Sequence, residues 1–147
     1  MTNTQPSFDS LPEIVEELRD CEDAAERMMV LMEFGDESDP LGEEYRIPEF
    51  QVQGCTSKVW LVPKFDTDAI GNLCFLSDSD SSLVRGLAAL LVEMTSQLDR
   101  GEVPKFDYVA ALEYAGVSGQ LSQSRSSGLK HMIARIRALA ALSQPDA

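Results

Sequence analysis

The three cysteines are the first candidates for chemistry, because a thiolate is a strong nucleophile. Cys55 follows Gly54 and precedes Thr56 and Ser57, in the short connection between two predicted strands. A thiol on such a connection is accessible to a partner, and the glycine before it permits an unusual backbone angle or the close approach of another chain. Cys55 is therefore the candidate reactive residue, although loop cysteines without a chemical role are common.

Cys21 and Cys74 have a different setting, since Cys21 lies in the first helical region and Cys74 in a predicted strand. Both fit small buried apolar side chains. The cysteines are not spaced as metal ligands, and the sequence has no Cys-x-x-Cys pair. Their odd number and the polar N-terminus, which does not resemble a secretory signal, predict free thiols in the reducing cytoplasm.

The single histidine, His131, lies on the last predicted helix next to Met132, which belongs to the apolar stripe of that helix. At the margin of such a stripe a histidine is usually structural. One histidine rules out a histidine cluster for a metal ion and makes a Cys-His or Ser-His dyad implausible. The sequence therefore predicts no structural metal and no histidine that serves Cys55 as a base.

Charged residues give two further candidate positions. The segment Ser77–Asp80 lacks the ligand series of a calcium loop, so we predict that Ser79 or Asp80 caps the following helix. Arg125 stands at the start of the last helix, where a cation opposes the helix dipole. We expect Arg125 either to pair with Asp78, Asp80 or a bound anion, or to be an ordinary surface arginine.

The composition limits the classes of function. The chain has 147 residues, of which 44% are hydrophobic and 25% charged, as is typical of a globular domain. We predict one domain over residues 1–147, with the first ~10 residues flexible. The net charge is −13, and residues 1–50 carry 15 Asp and Glu against 3 Lys and Arg. Such a chain repels phosphate groups, so we expect it to bind neither nucleic acid nor membranes.

The apolar periodicity predicts an α+β fold. Helical spacing covers about residues 11–34, with a break at Asp20–Asp23. Two short alternating stretches and a third short apolar run predict an antiparallel three-stranded sheet with helices packed on one face. The predicted strands are Phe50–Gln53, Val59–Val62 and Leu73–Leu76, and the later helices are Leu83–Leu98, Asp107–Ala115 and Ser124–Leu142.

Three segments of the sequence are informative together: Val52–Leu61, Asp78–Leu87 and Leu121–Met132. They resemble the SufE-type proteins, the sulfur acceptors of iron–sulfur cluster assembly. They occur in the order of the family, and the similarity covers about residues 22–137. The sequence departs from the family at Gln123, where proline is usual, and at Ser127, where asparagine is frequent.

The resemblance implies a fold shared with the IscU-type scaffold proteins and a persulfide-carrying cysteine at Cys55. In the family this cysteine takes sulfane sulfur from a PLP-dependent cysteine desulfurase, of the SufS-like or CsdA-like kind. It passes the sulfur towards an iron–sulfur scaffold and thereby accelerates the desulfurase. The PLP belongs to the partner, so no cofactor is expected on this chain, which is not expected to turn over alone.

Persulfide transfer needs an accessible, partly ionised sulfur. The residues expected to support it are the neighbours of the cysteine and the charges of the other two segments: Gly54, Thr56, Ser57, Asp80 and Arg125. We expect the free protein to keep Cys55 largely buried, with a raised pKa, until the desulfurase draws the loop out. Two other functions remain open: a non-covalent regulatory module of a desulfurase, and a thiol-dependent enzyme that uses Cys55.

Overall fold

Five α-helices and a two-stranded antiparallel sheet make up the described part of the chain, and the α+β class is confirmed. A computed structural model describes residues 11–37, 40–55, 57–64, 74–98, 100–117 and 121–142. The elements are α1 (Glu13–Arg19), α2 (Ala24–Asp36), β1 (Val59–Lys64), β2 (Cys74–Ser79), α3 (Ser82–Ser96), α4 (Tyr108–Tyr114) and α5 (Gln123–Leu142). Three 3₁₀ helices connect them, at Glu43–Tyr45, Pro48–Phe50 and Arg100–Lys105.

The predicted break in the first helical region is confirmed. The side chain of Asp23 caps α2 by accepting a hydrogen bond of 2.8 Å from the backbone N–H of Glu26. Arg27 stabilises the turn between α1 and α2, because its guanidinium donates to the carbonyls of Leu18 and Cys21. Pro12 is the residue that precedes α1, and the predicted cap Ser10 lies outside the described residues.

Helices α2 and α3 cross at closely approaching glycines. A Cβ atom on Gly86 would collide with the backbone carbonyl of Leu31, and one on Gly35 would lie 2.7 Å from the backbone nitrogen of Gly86. The helix backbones can therefore meet only because these positions carry no side chain. This close contact fixes α2 against α3. The buried face of α3 contributes four large side chains to the main core: Leu87, Leu90, Leu91 and Met94.

The two strands pair with Val59 opposite Ser79 and Lys64 opposite Cys74. Alternate residues of the strands belong to two different hydrophobic clusters, because successive side chains point to opposite faces of the sheet. Val59, Leu61 and Phe75 join the main core with the helices, whereas Trp60 and Val62 form a smaller cluster with Leu41. The α-helical layer therefore packs on one face, and the chain around the first two 3₁₀ helices covers the other.

The prediction of three strands is not confirmed in the described part of the chain. Where a strand was expected at Phe50–Gln53, Pro48–Phe50 is a 3₁₀ helix and Gln51 forms only an isolated bridge with Trp60. Pro48 starts that helix, and Gly54 has a φ of +91°, which ends the extended conformation. Too few residues remain between them for a ladder.

The C-terminal helices follow the prediction, with one change of cap. Ser81, rather than Ser79 or Asp80, caps α3 by accepting from the backbone N–H of Val84. Asp107 caps α4, and Gly116, at a φ of +83°, follows its end. Helix α5 lays its apolar stripe into the core. None of the helices in the described ranges is long and apolar enough to cross a membrane.

Candidate functional site

Cys55 lies in a short loop whose two arms are held together. At the base of the loop, the backbone N–H of Val52 donates to the carbonyl of Val59 at 2.8 Å. Gly54 makes the turn at a φ of +91°, which confirms the expectation of an unusual backbone angle before the cysteine. The loop therefore projects Cys55 from the end of β1 towards another element.

That element is α5. The thiol of Cys55 donates to the carbonyl of Gly128 at 3.7 Å, and a Cβ atom on Gly128 would lie 3.6 Å from Sγ. The helix thus offers a bare backbone surface for the sulfur. Cys55 is half-buried rather than largely buried. Burial raises the pKa of its thiol, so the resting sulfur is protonated and weakly nucleophilic.

A small cavity of about 10 Å³ adjoins the thiol. Its wall is formed by the loop, α3 and the first turns of α5: Cys55, Ser57, Val84, Leu87, Ser124, Arg125, Gly128 and Met132. This is close to the volume of a single water probe, so no substrate molecule fits beside the sulfur in this conformation. A reactant therefore has to approach the partly exposed Cys55 from solvent.

Arg125 reaches this cavity from the third residue of α5 and is exposed to solvent. Its backbone N–H donates to the hydroxyl of Ser122, which caps the helix. Among the described residues, its guanidinium forms no hydrogen bond or ion pair, and it pairs with neither Asp78 nor Asp80. Arg125 therefore presents an available positive charge at the edge of the thiol cavity.

Asp80 supports the loop instead. Its carboxylate accepts from the backbone N–H of Lys58 at 3.1 Å, and its own N–H donates to the carbonyl of Lys58 at 3.2 Å. The hydroxyl of Ser79 donates to the same carbonyl at 2.7 Å. The returning arm of the loop is thus fixed to the end of β2. Ser57 lines the cavity, and Thr56 lies outside the described residues.

Asp78 is a buried charge that the sequence analysis considered only as a partner for Arg125. Its carboxylate pairs with Arg46 at 2.5 Å and with Arg85 at 3.1 Å, and it accepts from the backbone N–H groups of Leu41 and Ser79. Burial alone would raise the pKa of Asp78. The backbone hydrogen bonds and the charge of Arg46 outweigh it, so the pKa is lowered. No local pattern in the sequence indicated this pairing, because Arg46 and Asp78 lie far apart along the chain.

His131 lies beside the loop, a position that the sequence prediction did not give it. A Cβ atom on Gly54 would be 2.7 Å from both Cδ2 and Nε2 of the imidazole. His131 and Gly128 are three residues apart on α5 and so share a face of the helix, which neither residue type reveals. The signal was the position of His131 inside the third segment that resembles the family. The thiol of Cys55 donates to the carbonyl of Gly128.

The other two cysteines lie elsewhere. Cys21 is buried after α1 and donates to the carbonyl of Glu17, and burial, followed by the charge of Glu26, raises the pKa of its thiol. Cys74 begins β2 and is half-buried rather than buried. The described residues contain no group of three or more His, Cys, Asp or Glu side chains that could hold a metal ion.

Comparisons with known proteins identify the family of the chain. The family model of SufE, the Fe-S metabolism associated domain, matches residues 12–140. An uncharacterized SufE-like protein of Rhizobium etli is 35% identical over 129 residues, which cover 87% of each chain. The solution structure of a hypothetical protein from Thermus thermophilus has a TM-score of 0.69 at 16% identity and covers 90% of this chain and 97% of its own. That likeness shows the fold alone.

The match to the family model spans both arms of the cysteine loop, the end of β2 and nearly all of α5. All the described residues that form the thiol cavity lie within it. The chain therefore belongs to the SufE family, a family of iron–sulfur metabolism.

Proposed function

We propose that Cys55 accepts sulfane sulfur from a PLP-dependent cysteine desulfurase of the SufS-like or CsdA-like kind and passes it to an iron–sulfur scaffold. The observation that carries this proposal is the setting of the thiol: a loop cysteine held against the bare backbone at Gly128, beside the exposed charge of Arg125. The PLP stays on the desulfurase, and we place the exchange in the cytoplasm, where thiols remain reduced.

The exchange is a thiolate substitution at sulfur. The thiolate of Cys55 attacks the outer sulfur of the desulfurase persulfide, a new S–S bond forms on Cys55, and the original S–S bond breaks. The desulfurase cysteine leaves as a thiolate and takes up the proton that Cys55 has lost. Oxidation state is exchanged between the two cysteines, so no external oxidant or reductant is needed.

The resting contact explains why the sulfur is inert before docking. A neutral thiol donates to the carbonyl of Gly128, but a thiolate has no proton to donate and is repelled by that oxygen. Ionisation of Cys55 therefore favours departure of the loop from α5. A desulfurase that offers hydrogen-bond donors or positive charge to the emerging thiolate would draw the loop outward. The same movement would make the sulfur of Cys55 nucleophilic.

Arg125 supplies a cation on this chain. A positive charge near the start of a helix opposes the dipole, and this one has no carboxylate partner among the described residues. An anion at the cavity edge would offset the unfavourable interaction of Arg125 with the helix dipole and would give its guanidinium a partner. The thiolate of Cys55 and its later persulfide are such anions.

Cysteine variants test the proposal through sulfide release by a SufS-type desulfurase with cysteine and a reductant. Wild type, Cys21→Ala and Cys74→Ala should stimulate the desulfurase, whereas Cys55→Ser should not, since serine cannot carry sulfane sulfur. Stimulation by Cys55→Ser would instead indicate a non-covalent regulatory module. Stimulation that depends on Cys21 or Cys74 would place the acceptor on another residue.

A further inference from the structure

Three contacts hold the chain from Glu49 to Cys55 along one face of α5. Residues 128, 131 and 135 are spaced by three and four positions and therefore share that face. Arg135 donates to the carbonyl of Glu49 at 2.6 Å, the ring of His131 lies against Gly54, and the carbonyl of Gly128 accepts from Cys55. The middle contact is the one next to the thiol.

The fit between His131 and Gly54 is close. A Cβ atom on Gly54 would lie 2.7 to 2.8 Å from three atoms of the imidazole, well inside van der Waals contact. Gly54 also has a φ of +91°, where side chains are disfavoured. The ring therefore fills the space that any side chain at position 54 would occupy. Both residues are exposed, so the contact can break without opening the core.

We propose that His131 is a positioning residue, a latch that keeps the Cys55 loop closed on α5 in the free protein. The inference rests on the proposed function, in which the sulfur must leave Gly128 to reach the desulfurase. The S–H···O contact at 3.7 Å is long and weak on its own. The imidazole adds a second contact at the adjacent residue, so the closed loop depends on both.

Alkylation of Cys55 by iodoacetamide measures how often the free loop opens. His131→Ala should raise the alkylation rate of Cys55 about three- to tenfold, because loss of the ring shifts the loop towards its open state. Alanine favours the helix, and His131 is exposed, so the fold is not at risk. Lys130→Ala, an exposed neighbour on the same helix, is the matched control and should react as wild type does. Equal rates for His131→Ala and wild type would overturn the latch.

A second variant tests whether the ring acts through Gly54. Gly54→Ala must displace the imidazole, so it should raise the alkylation rate in the wild-type background. In the His131→Ala background the same change should raise it less, because the contact has already been lost. Purely additive effects would show that His131 does not act on the loop through Gly54, and would contradict the proposal.

Titration of a SufS-type desulfurase with each variant separates positioning from chemistry. If His131 only holds the loop, His131→Ala should stimulate half-maximally at a lower concentration and reach the wild-type maximum. A lower maximal rate would show that the imidazole acts on the sulfur, which overturns the latch. The two proposals fail in different ways. An unchanged alkylation rate in His131→Ala, together with normal sulfur uptake, would refute only the latch. Absence of sulfur uptake by the wild-type protein would refute only the proposed function.

Discussion

Under the proposed function Cys55 faces two opposing requirements, because a sulfur carrier must be reactive with its partner and inert towards other thiols. In the resting loop, burial raises the pKa of the thiol, and the carbonyl of Gly128 accepts its proton. Both effects favour the neutral form, which is not the nucleophile. The positive charge that would favour the thiolate, on Arg125, lies at the edge of the same cavity. The proposed function therefore assigns the reactivity of Cys55 to a moved loop and not to the resting one.

Arg125→Gln should slow sulfur transfer to Cys55 about tenfold while leaving the unfolding midpoint unchanged. The guanidinium has no partner in the described part of the chain, so little stability is lost, whereas the developing thiolate loses a nearby cation. Rapid-quench measurement of persulfide formation on Cys55 checks the rate, and thermal denaturation checks the fold.

Lys130→Gln is the matched control for this prediction. It removes the same charge from an exposed position on the same helix, but Lys130 does not line the thiol cavity. Equal slowing by both substitutions would mean that Arg125 acts through the overall charge of the protein, for example in docking, and not on the sulfur.

At the scale of elements, the end of β2 holds the loop in place. Asp78 ties the strand to Arg46 and to Arg85 of α3, and Asp80, two residues later, fixes the backbone of Lys58. The loop with Cys55 thus returns onto a strand end that is itself anchored from two sides. A short loop on a rigid base can move without loss of the sheet register.

Asp78→Asn should lower the free energy of unfolding by about 2–4 kcal/mol at neutral pH, because a buried carboxylate with two arginine partners is lost. The matched control is Asp36→Asn. Asp36 also pairs with Arg85, at 2.8 Å, but its side chain is 57% exposed, so its loss should cost no more than about 0.5 kcal/mol. Urea denaturation measures both, and equal losses would contradict the assignment.

The difference in unfolding free energy between wild type and Asp78→Asn should depend on pH with a definite sign. The pKa of Asp78 is lowered by folding, so its contribution is present above the pKa of the unfolded chain and is lost as the pH falls through the folded pKa. The stability gap between wild type and Asp78→Asn should therefore shrink below a pH of about 4. A gap that is constant from neutral pH into that acid range would mean that the carboxylate charge is not responsible.

For the whole molecule, the sequence predicted the class and most helix bounds, because burial periodicity repeats over many residues. The break between α1 and α2, the Asp107 cap and the long α5 follow this rule. The strand at Phe50–Gln53 was not confirmed because a few alternating residues carry little information, and Pro48 and Gly54 constrain the backbone locally. The conformation of a short segment depends on one or two residues, whereas that of a long helix follows from the average pattern of its residues.

The candidate site was predicted unevenly for a related reason. Cys55 and Gly54 stand out by their position in the chain, and the family segments placed Arg125 with them. The contact of His131 with Gly54 and the pairing of Asp78 with Arg46 join residues 77 and 32 positions apart. Pairings over such separations depend on how α5 and the 3₁₀ segments lie on the sheet, which no local pattern encodes.

The central claim is that sulfur comes to reside on Cys55, and peptide mass spectrometry tests it most directly. The chain is incubated with a SufS-type desulfurase and cysteine, alkylated without reduction and digested. The account predicts the mass of one additional sulfur atom on the peptide that contains Cys55, and none on the peptides with Cys21 or Cys74. An unmodified Cys55 peptide from protein that nevertheless stimulates the desulfurase would contradict the account.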